Sequence, residues 1–201
     1  EHCKRLELPI EKVESIKPLG SYRIKYKIIG EPLISIIIPN KDSIKYLKRA
    51  INSILKSTYK NYEIIIVENS STEKNIFRYY KKLKKNSKIK IVECNMAIFN
   101  YSKLNNFGAS KAEGEYFVFL NNDTKIITKN WLETIISNCQ RKEIGAIGAK
   151  LIYKNKRIQH AGVVLNLTGT AGHVNLNEKE NHPGYFGRIM IQQNCSSVTG
   201  A

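Results

Sequence analysis

Three short runs of β-branched and aromatic residues, 33–38 (LISIII), 62–67 (YEIIIV) and 116–120 (YFVFL), each give way to a polar cluster within a residue or two. Runs so uniformly apolar read as strands buried on both faces, the pattern of a parallel sheet covered by helices. Between the first two, Ile44, Leu47, Ala50, Ile51, Ile54 and Leu55 recur at helical spacing, which predicts a helix over 43–57. Strand, helix, strand with parallel strands requires a right-handed crossover. A second helix over 73–85, a third strand over 88–92 and a helix over 100–112, weakened by Gly108, lead to the run at 116–120. The predicted fold class is α/β, a mostly parallel sheet flanked by helices, with Pro39 stopping the first strand. The clusters after Ile38, Val67 and Leu120 then fall on one rim of the sheet, the carboxyl edge where ligands bind in open α/β folds.

A chain of 201 residues, 42% hydrophobic and 25% charged, holds one sizeable α/β domain. Residues 1–32 carry Pro9, Pro18, Pro32, Gly20 and Gly30, too broken for a long helix and too polar for a core strand. They read as an arm or linker with one edge strand over 22–28, leaving 33–201 as the domain. Beyond Asp123 the pattern predicts a helix over 131–139, a Gly-rich strand over 144–150 and a hairpin turn at Lys154-Asn155-Lys156. Gly169, Gly172, Pro183, Gly184 and Gly187 then punctuate a stretch that periodicity does not assign. The closing run 196–201 starts like a strand, and its end reads as a cut in a longer chain.

The charge is unusual: 33 Lys and Arg against 17 Asp and Glu give +16. Such a balance favours polyanions, acidic membrane surfaces or phosphorylated small molecules. Much of the excess is lysine on helix faces turned to solvent, as in 81–85, where Ile76, Tyr80 and Leu83 form the apolar stripe. Cys3, Cys94, Cys139 and Cys195 have no CxxC or zinc spacing and read as free thiols of a reducing compartment. Neither a membrane-spanning apolar run nor a signal-peptide core is present in this sequence, so the expected setting is cytoplasmic, with the basic surface able to rest at the periphery of an anionic membrane. A non-catalytic basic module for nucleic acid or an anionic surface is the rival reading, carried by interleaved Lys and Tyr in 21–27 and 78–85. No nucleic acid is expected on the main reading.

The chemistry concentrates on the rim. Asp123, at the end of an apolar strand, is a hard oxygen ligand placed to hold Mg²⁺ or Mn²⁺ carrying phosphates; its alternative role is in a polar turn before the next helix. Asp42 and Glu68 could accept from a base or ribose, against helix capping or plain solvation. Neither GxGxxG nor GxxxxGK[ST] occurs, so phosphates must be handled by metal and side chains. His160 and His173 are two isolated histidines, too few for a metal site.

In order and spacing, IIIPNKD, YEIIIVENSST and NNFGASKAEGEYFVFLNNDT resemble the nucleotide-binding half of the inverting glycosyltransferases of family 2, which have the GT-A fold. The resemblance covers about 33–201. It implies that Pro39, Asn40 and Asp42 line the nucleotide site and that Glu68 and Asn69 stand where the family places base-recognising groups. Asn106 and Gly108 match an Asn-x-Gly signature, Asn121 and Asn122 belong to the nucleotide site, and Asp123 falls on the last position of the Asp-x-Asp metal motif. Asn121 departs from the usual Asp there, which leaves Asp123 to supply the protein carboxylate to Mg²⁺ or Mn²⁺. The implied partners are a nucleoside-diphosphate sugar donor, a glycan or polysaccharide acceptor and further domains of a longer chain. Segments around Ile158-Gln159-His160-Ala161-Gly162 and Ser197-Val198-Thr199-Gly200-Ala201 resemble a subgroup of bacterial multidomain transferases that build surface polysaccharides. The family's catalytic base lies in an acidic motif after the last of these, so it is expected beyond Ala201 and this stretch is expected to bind donor without efficient transfer.

Overall fold

The structure, a computed structural model, describes residues 2–16, 20–166 and 169–199. In chain order its elements are the single turn α1 (His2–Arg5), β1 (Ile10–Ile16), β2 (Ser21–Tyr26), β3 (Ile34–Asn40), α2 (Ile44–Ile54), β4 (Tyr62–Glu68), α3 (Lys74–Leu83), β5 (Ile89–Glu93), α4 (Tyr101–Ala109) and β6 (Tyr116–Phe119). There follow α5 (Trp131–Cys139), β7 (Leu151–Ile152), β8 (Ile158–His160), β9 (Val163–Leu165), β10 (Ala171–His173) and a 3-10 helix, Tyr185–Met190. Two units are distinguished, Ile29–Ile136 and a second drawn from Glu1–Ile28 with Ser137–Thr199. Pro18, Gly200 and Ala201, singled out in the sequence, lie outside the described residues.

The first unit is built on a four-stranded sheet in the order β5-β4-β3-β6 with every pairing parallel, as the β-branched runs require. Ile36, Ile37, Ile38, Ile64, Ile65, Ile66 and Val67 are wholly buried, each worth roughly 1.5–3 kcal/mol of transfer from water. Period-two alternation sends Ile37, Ile65 and Val67 to one face, where they meet Leu104 of α4. α2 buries Leu47, Ala50, Ile51 and Ile54, and α3 buries Ile76, Tyr80 and Leu83. The chain steps from β3 to β4 to β5 in one direction and then returns to place β6 on the other side of β3. The carboxyl ends of β3 and β6 therefore flank a topological switch point, where the first and last polar clusters meet.

Two expectations for this sheet are corrected. Residues 116–120 are not buried on both faces: β6 is the edge strand, and Phe117 and Phe119 are 46% and 39% exposed while Tyr116 and Val118 are half-buried. An apolar run reports what could be covered, not what is. Pro39 does not stop β3, which continues through Asn40 opposite Glu68. The Ile37 carbonyl accepts from Leu120 N–H and the Asn40 carbonyl from Asn69 N–H, so the missing N–H of Pro39 falls on the β6 side, where the ladder has ended at Ile37 and Phe119. A proline at such an edge position removes no ladder bond.

α4 begins on Asn100, whose side chain accepts from Lys103 N–H at 2.9 Å. Gly108, which weakened the helix in the sequence, is what lets it lie against the sheet: a Cβ there would sit 2.5 Å from Ile37 Cγ2 and 2.8 Å from Val67 Cγ2. Gly108→Ala is therefore expected to lower stability by roughly 1–3 kcal/mol, since overpacking outweighs alanine's better helix propensity. Urea unfolding tests this, and an unchanged midpoint would mean that α4 lifts off without cost.

In the second unit the first 28 residues contribute more than an arm with one strand. β1 and β2 form an antiparallel hairpin, with Glu14 paired to Lys12 at 3.2 Å and Lys25 at 3.1 Å. Tyr26, at its end, is buried under the Arg141 guanidinium, 4.8 Å from the ring centroid. The strand expected over 144–150 is absent; that stretch is irregular, with Gly148 packed against Val198. The turn at Lys154-Asn155-Lys156 does join two antiparallel strands, β7 and β8, with Lys156 N–H donating to the Tyr153 carbonyl at 2.9 Å. β9 pairs with β10, and Val163 bridges Ser197. The two histidines meet, Nδ1 to Nδ1 at 3.0 Å. Burial, and then the neighbouring His173, hold the His160 imidazole below its ordinary pKa, so it packs as a neutral ring.

Candidate donor cleft

Pro39, Asn40, Lys41, Asn69, Asn121, Asn122 and Asp123 line one cleft of about 280 Å³ at the carboxyl edge of the sheet, closed on one side by Phe99, Tyr101 and Leu104. The residues come from the ends of β3, β4 and β6 and from the segment entering α4. Parallel strands bring them together because each ends at the same edge. Four amides, a carboxylate, an ammonium and two aromatic rings provide hydrogen-bond donors, acceptors and a stacking surface in a space at the lower bound of ligand clefts. Phe99 is 67% exposed, an open face that a flat ring could cover.

Behind the cleft a buried polar chain fixes the amides. Asn122 Nδ2 donates to Asn40 Oδ1 at 2.7 Å, Asn40 Nδ2 donates to Tyr80 Oη at 2.8 Å, and the Tyr80 hydroxyl donates to Glu68 Oε2. Glu68 also accepts from Ser71 N–H and, at 2.8 Å, from Ser71 Oγ. Burial first, and then the Glu68 carboxylate, push the Tyr80 phenol far above its ordinary pKa, so it stays a donor. Glu68 is thus 3% exposed, and its oxygens are spent on protein. Asn69, on the next residue, lines the cleft while its Oδ1 accepts from Met96 N–H at 3.0 Å.

Asp42 is likewise engaged. In a left-handed backbone conformation, with φ 49°, it accepts from Thr72 N–H at 2.6 Å and Glu73 N–H at 2.8 Å, capping α3 from the loop after β3. The Glu73 N–H above all holds its carboxyl below the usual range. Of the residues read from the sequence, Pro39, Asn40, Asn69, Asn121, Asn122 and Asp123 share the cleft wall. Asp42 and Glu68 stand behind it, Asn106 is exposed outside it, and Gly108 is buried against the sheet. Tyr80 reads in sequence as part of an apolar stripe, and only its burial beside Glu68 shows the second role of its hydroxyl. Phe99 and Tyr101 carry no periodic signal at all.

Tyr80→Phe removes a hydroxyl to which one buried group donates and from which another accepts. It is expected to cost about 1–3 kcal/mol of stability, the penalty of leaving such groups unpaired. Thermal unfolding with and without nucleotide measures it; a variant as stable as the parent would mean that Asn40 and Glu68 find other partners.

Asp123 is exposed, and only its backbone carbonyl is held, by Arg49 Nη2 at 2.6 Å. Among the described residues no three His, Cys, Asp or Glu side chains gather into a closed metal centre. A single free carboxylate among amide oxygens is nevertheless the donor set of a hard divalent ion that shares its shell with phosphates. The residues fit Mg²⁺ or Mn²⁺ on those terms.

The family model described as Glycosyl transferase family 2 matches residues 35–196. The y4gI protein of Sinorhizobium fredii is 40% identical over 182 residues, 90% of this chain and 20% of that protein. The O-antigen biosynthesis protein RfbC of Myxococcus xanthus is 38% identical over 203 residues, 100% of this chain and 16% of that protein. The chain thus spans a fifth or less of the length of either relative. Among solved structures, a mannosyltransferase from Pyrobaculum calidifontis, in complex with GDP-Man and Mn²⁺, superposes with a TM-score of 0.55 at 16% identity, covering 62% of this chain and 36% of that one. The likeness in fold adds to the parallel sheet and its flanking helices, which are those of the GT-A fold. With a family model running through both the β3 and β6 rim clusters, the chain belongs to glycosyltransferase family 2.

Proposed function

We propose that this chain is the donor-binding part of a sugar transferase, holding a nucleoside-diphosphate sugar and Mg²⁺ or Mn²⁺ for inverting transfer to a glycan or polysaccharide acceptor. The observation that carries the reading is the cleft at the switch point, where one free carboxylate, Asp123, stands among Asn40, Asn121 and Asn122. The domain is assigned to 33–201, with 1–32 preceding it, and it works beside further domains of a longer chain. The mannosyltransferase of similar fold binds GDP-Man and Mn²⁺, and the Myxococcus relative is named for O-antigen biosynthesis; both support this substrate class.

On this reading Asn69 and Phe99 hold the base and ribose, the Asn122–Asn40 pair orients polar groups of the donor, and Asp123 faces the diphosphate. A bound divalent ion supplies charge neutralisation to the leaving diphosphate. Asp42 and Glu68 support the wall rather than touch the donor: neither lines the cleft, Glu68 accepts on both oxygens, and Asp42 Oδ1 holds the Thr72 and Glu73 N–H groups. Asp123 is the one carboxylate lining the cleft among the described residues, and on this reading it is given to the divalent ion that the diphosphate shares. The group that deprotonates the acceptor hydroxyl therefore lies elsewhere in the longer chain. The setting we assign is cytoplasmic, at the periphery of an anionic membrane; no helix among the described residues is long and apolar enough to cross one.

A thermal-shift panel of nucleoside diphosphates and their sugars, with and without Mn²⁺, tests the donor assignment, because a ligand bound only by the folded state raises the midpoint by mass action. One nucleotide is expected to stabilise only with metal present. No stabilisation by any of them would remove the reading.

A further inference from the structure

The outward face of α2 carries Lys45, Lys48, Arg49 and Asn52, at spacings of three, four and seven from the first and opposite the apolar face that covers the sheet, and Lys56 follows just past the helix end. Lys125 joins them from the loop after β6, and together they line a hollow that contains no carboxylate. None of the ion pairs recorded among the described residues uses any of these cations. Like charges crowded without counter-charge repel one another, a cost that an anionic surface would relieve.

The loop beside them is fixed rather than loose. Arg49 holds the Asp123 carbonyl, Ile126 N–H donates to Ser53 Oγ at 3.0 Å, and Thr58 N–H donates to the Lys129 carbonyl at 3.0 Å. Between these ties Ile127 stands 70% exposed, an aliphatic tip flanked by Lys125 and Lys129. At that exposure most of the side chain lies in solvent, outside the core of its own fold.

We propose that this face, α2 with the loop 124–130, docks on a bilayer carrying anionic headgroups, with the cations at the phosphates and Ile127 entering the headgroup boundary. Lysines around an apolar tip are what such an interface takes up. A nucleic acid would want open aromatic faces for its bases; no ring lines the hollow, and the nearby Tyr46 has the Arg49 guanidinium 5.4 Å from its ring centroid. Because Arg49 ties this face to Asp123, docking holds the mouth of the donor cleft at the membrane surface. The docking deepens the peripheral setting proposed above, but it is measured without donor or metal, so it stands or falls apart from the transferase reading.

Flotation of the chain with vesicles of phosphatidylcholine alone, and with about a third phosphatidylglycerol, makes the test. Binding is expected to the second only, weakening as salt rises. At roughly five-fold per cation near the surface, Lys48→Glu with Lys125→Glu should weaken it about thirty-fold or more. The same charge change at the end of α3 and just past it, Lys81→Glu with Lys85→Glu, should weaken it no more than about three-fold. Ile127→Ser should lower affinity several-fold with little change in its salt dependence. All five positions are exposed, and circular dichroism checks the fold; the alanine pair at 48 and 125 replaces the glutamate pair if that one unfolds. Absence of vesicle binding, equal losses from the two double variants, or tighter binding of single-stranded nucleic acid through Lys48 and Lys125 would each overturn the proposal.

Discussion

Replacing Asp123 by alanine is expected to remove the metal-dependent part of nucleotide binding and leave the fold unchanged. The side chain is exposed, and the bond that ties this residue to α2 runs from Arg49 to its backbone carbonyl, which alanine keeps. Without the carboxylate, the cleft offers a divalent ion amide oxygens only, and the diphosphate must hold the ion alone. In the parent, nucleotide at a hundred-fold excess over its dissociation constant stabilises the folded state by about 2.7 kcal/mol. The increment that Mn²⁺ adds to this stabilisation should vanish in Asp123→Ala and be strongly reduced in Asp123→Asn, which keeps size but not charge. Unfolding in the absence of ligand should be unaltered for both. A variant that retains the full metal increment would place the ion elsewhere and remove Asp123 from the site.

That expectation rests on a residue visible in the sequence, and the reason is physical. β3 and β4 are covered on both faces, so their composition collapses to isoleucine and valine and announces the strands at once. The residues that follow must then sit at one edge, which is why Asn40, Asn69 and Asp123 could be placed together before any coordinates. What could not be read is how residues far apart in sequence share hydrogen bonds. Asp42 and Glu68 look like free carboxylates on a rim, yet one caps α3 thirty residues on and the other is filled by Ser71 and Tyr80. Tyr80 has helical spacing that explains it fully as core, so its hydroxyl gave no sign of itself. Phe117 and Phe119 misled in the opposite sense, because hydrophobicity does not say whether a neighbouring layer exists. Residues 144–150 are extended enough in composition to suggest a strand but have no ladder partner among the described residues.

The engagement of Asp42 and Glu68 leads to the second expected result, the larger of the two in rate. Asp42 and Glu68 are hydrogen-bonded to the loop at 71–73 and do not line the cleft, which retains Asp123 alone; on the proposed reading Asp123 serves the metal and diphosphate and does not also take a proton from an acceptor hydroxyl. General-base assistance contributes about two to four orders of magnitude, and the chain by itself should transfer sugar to hydroxyl acceptors slower by that factor than a family member that brings a base to its acceptor. An acceptor that needs no deprotonation separates this deficit from a defective donor site. Azide attacks the anomeric carbon as an anion: its nitrogen forms the new bond, the carbon–oxygen bond to the diphosphate breaks, and the nucleoside diphosphate leaves with the electron pair. If donor and metal bind as proposed, on the rim from Pro39 to Asp123, azide should accelerate donor consumption where a hydroxyl acceptor does not, and Asp123→Ala should abolish the acceleration. Product analysis for the glycosyl azide, at matched donor and metal, decides it. Hydroxyl acceptors used as readily as azide would mean that a base already stands within this chain, and the search would return to Asp42 and Glu68 with their hydrogen bonds broken by donor binding.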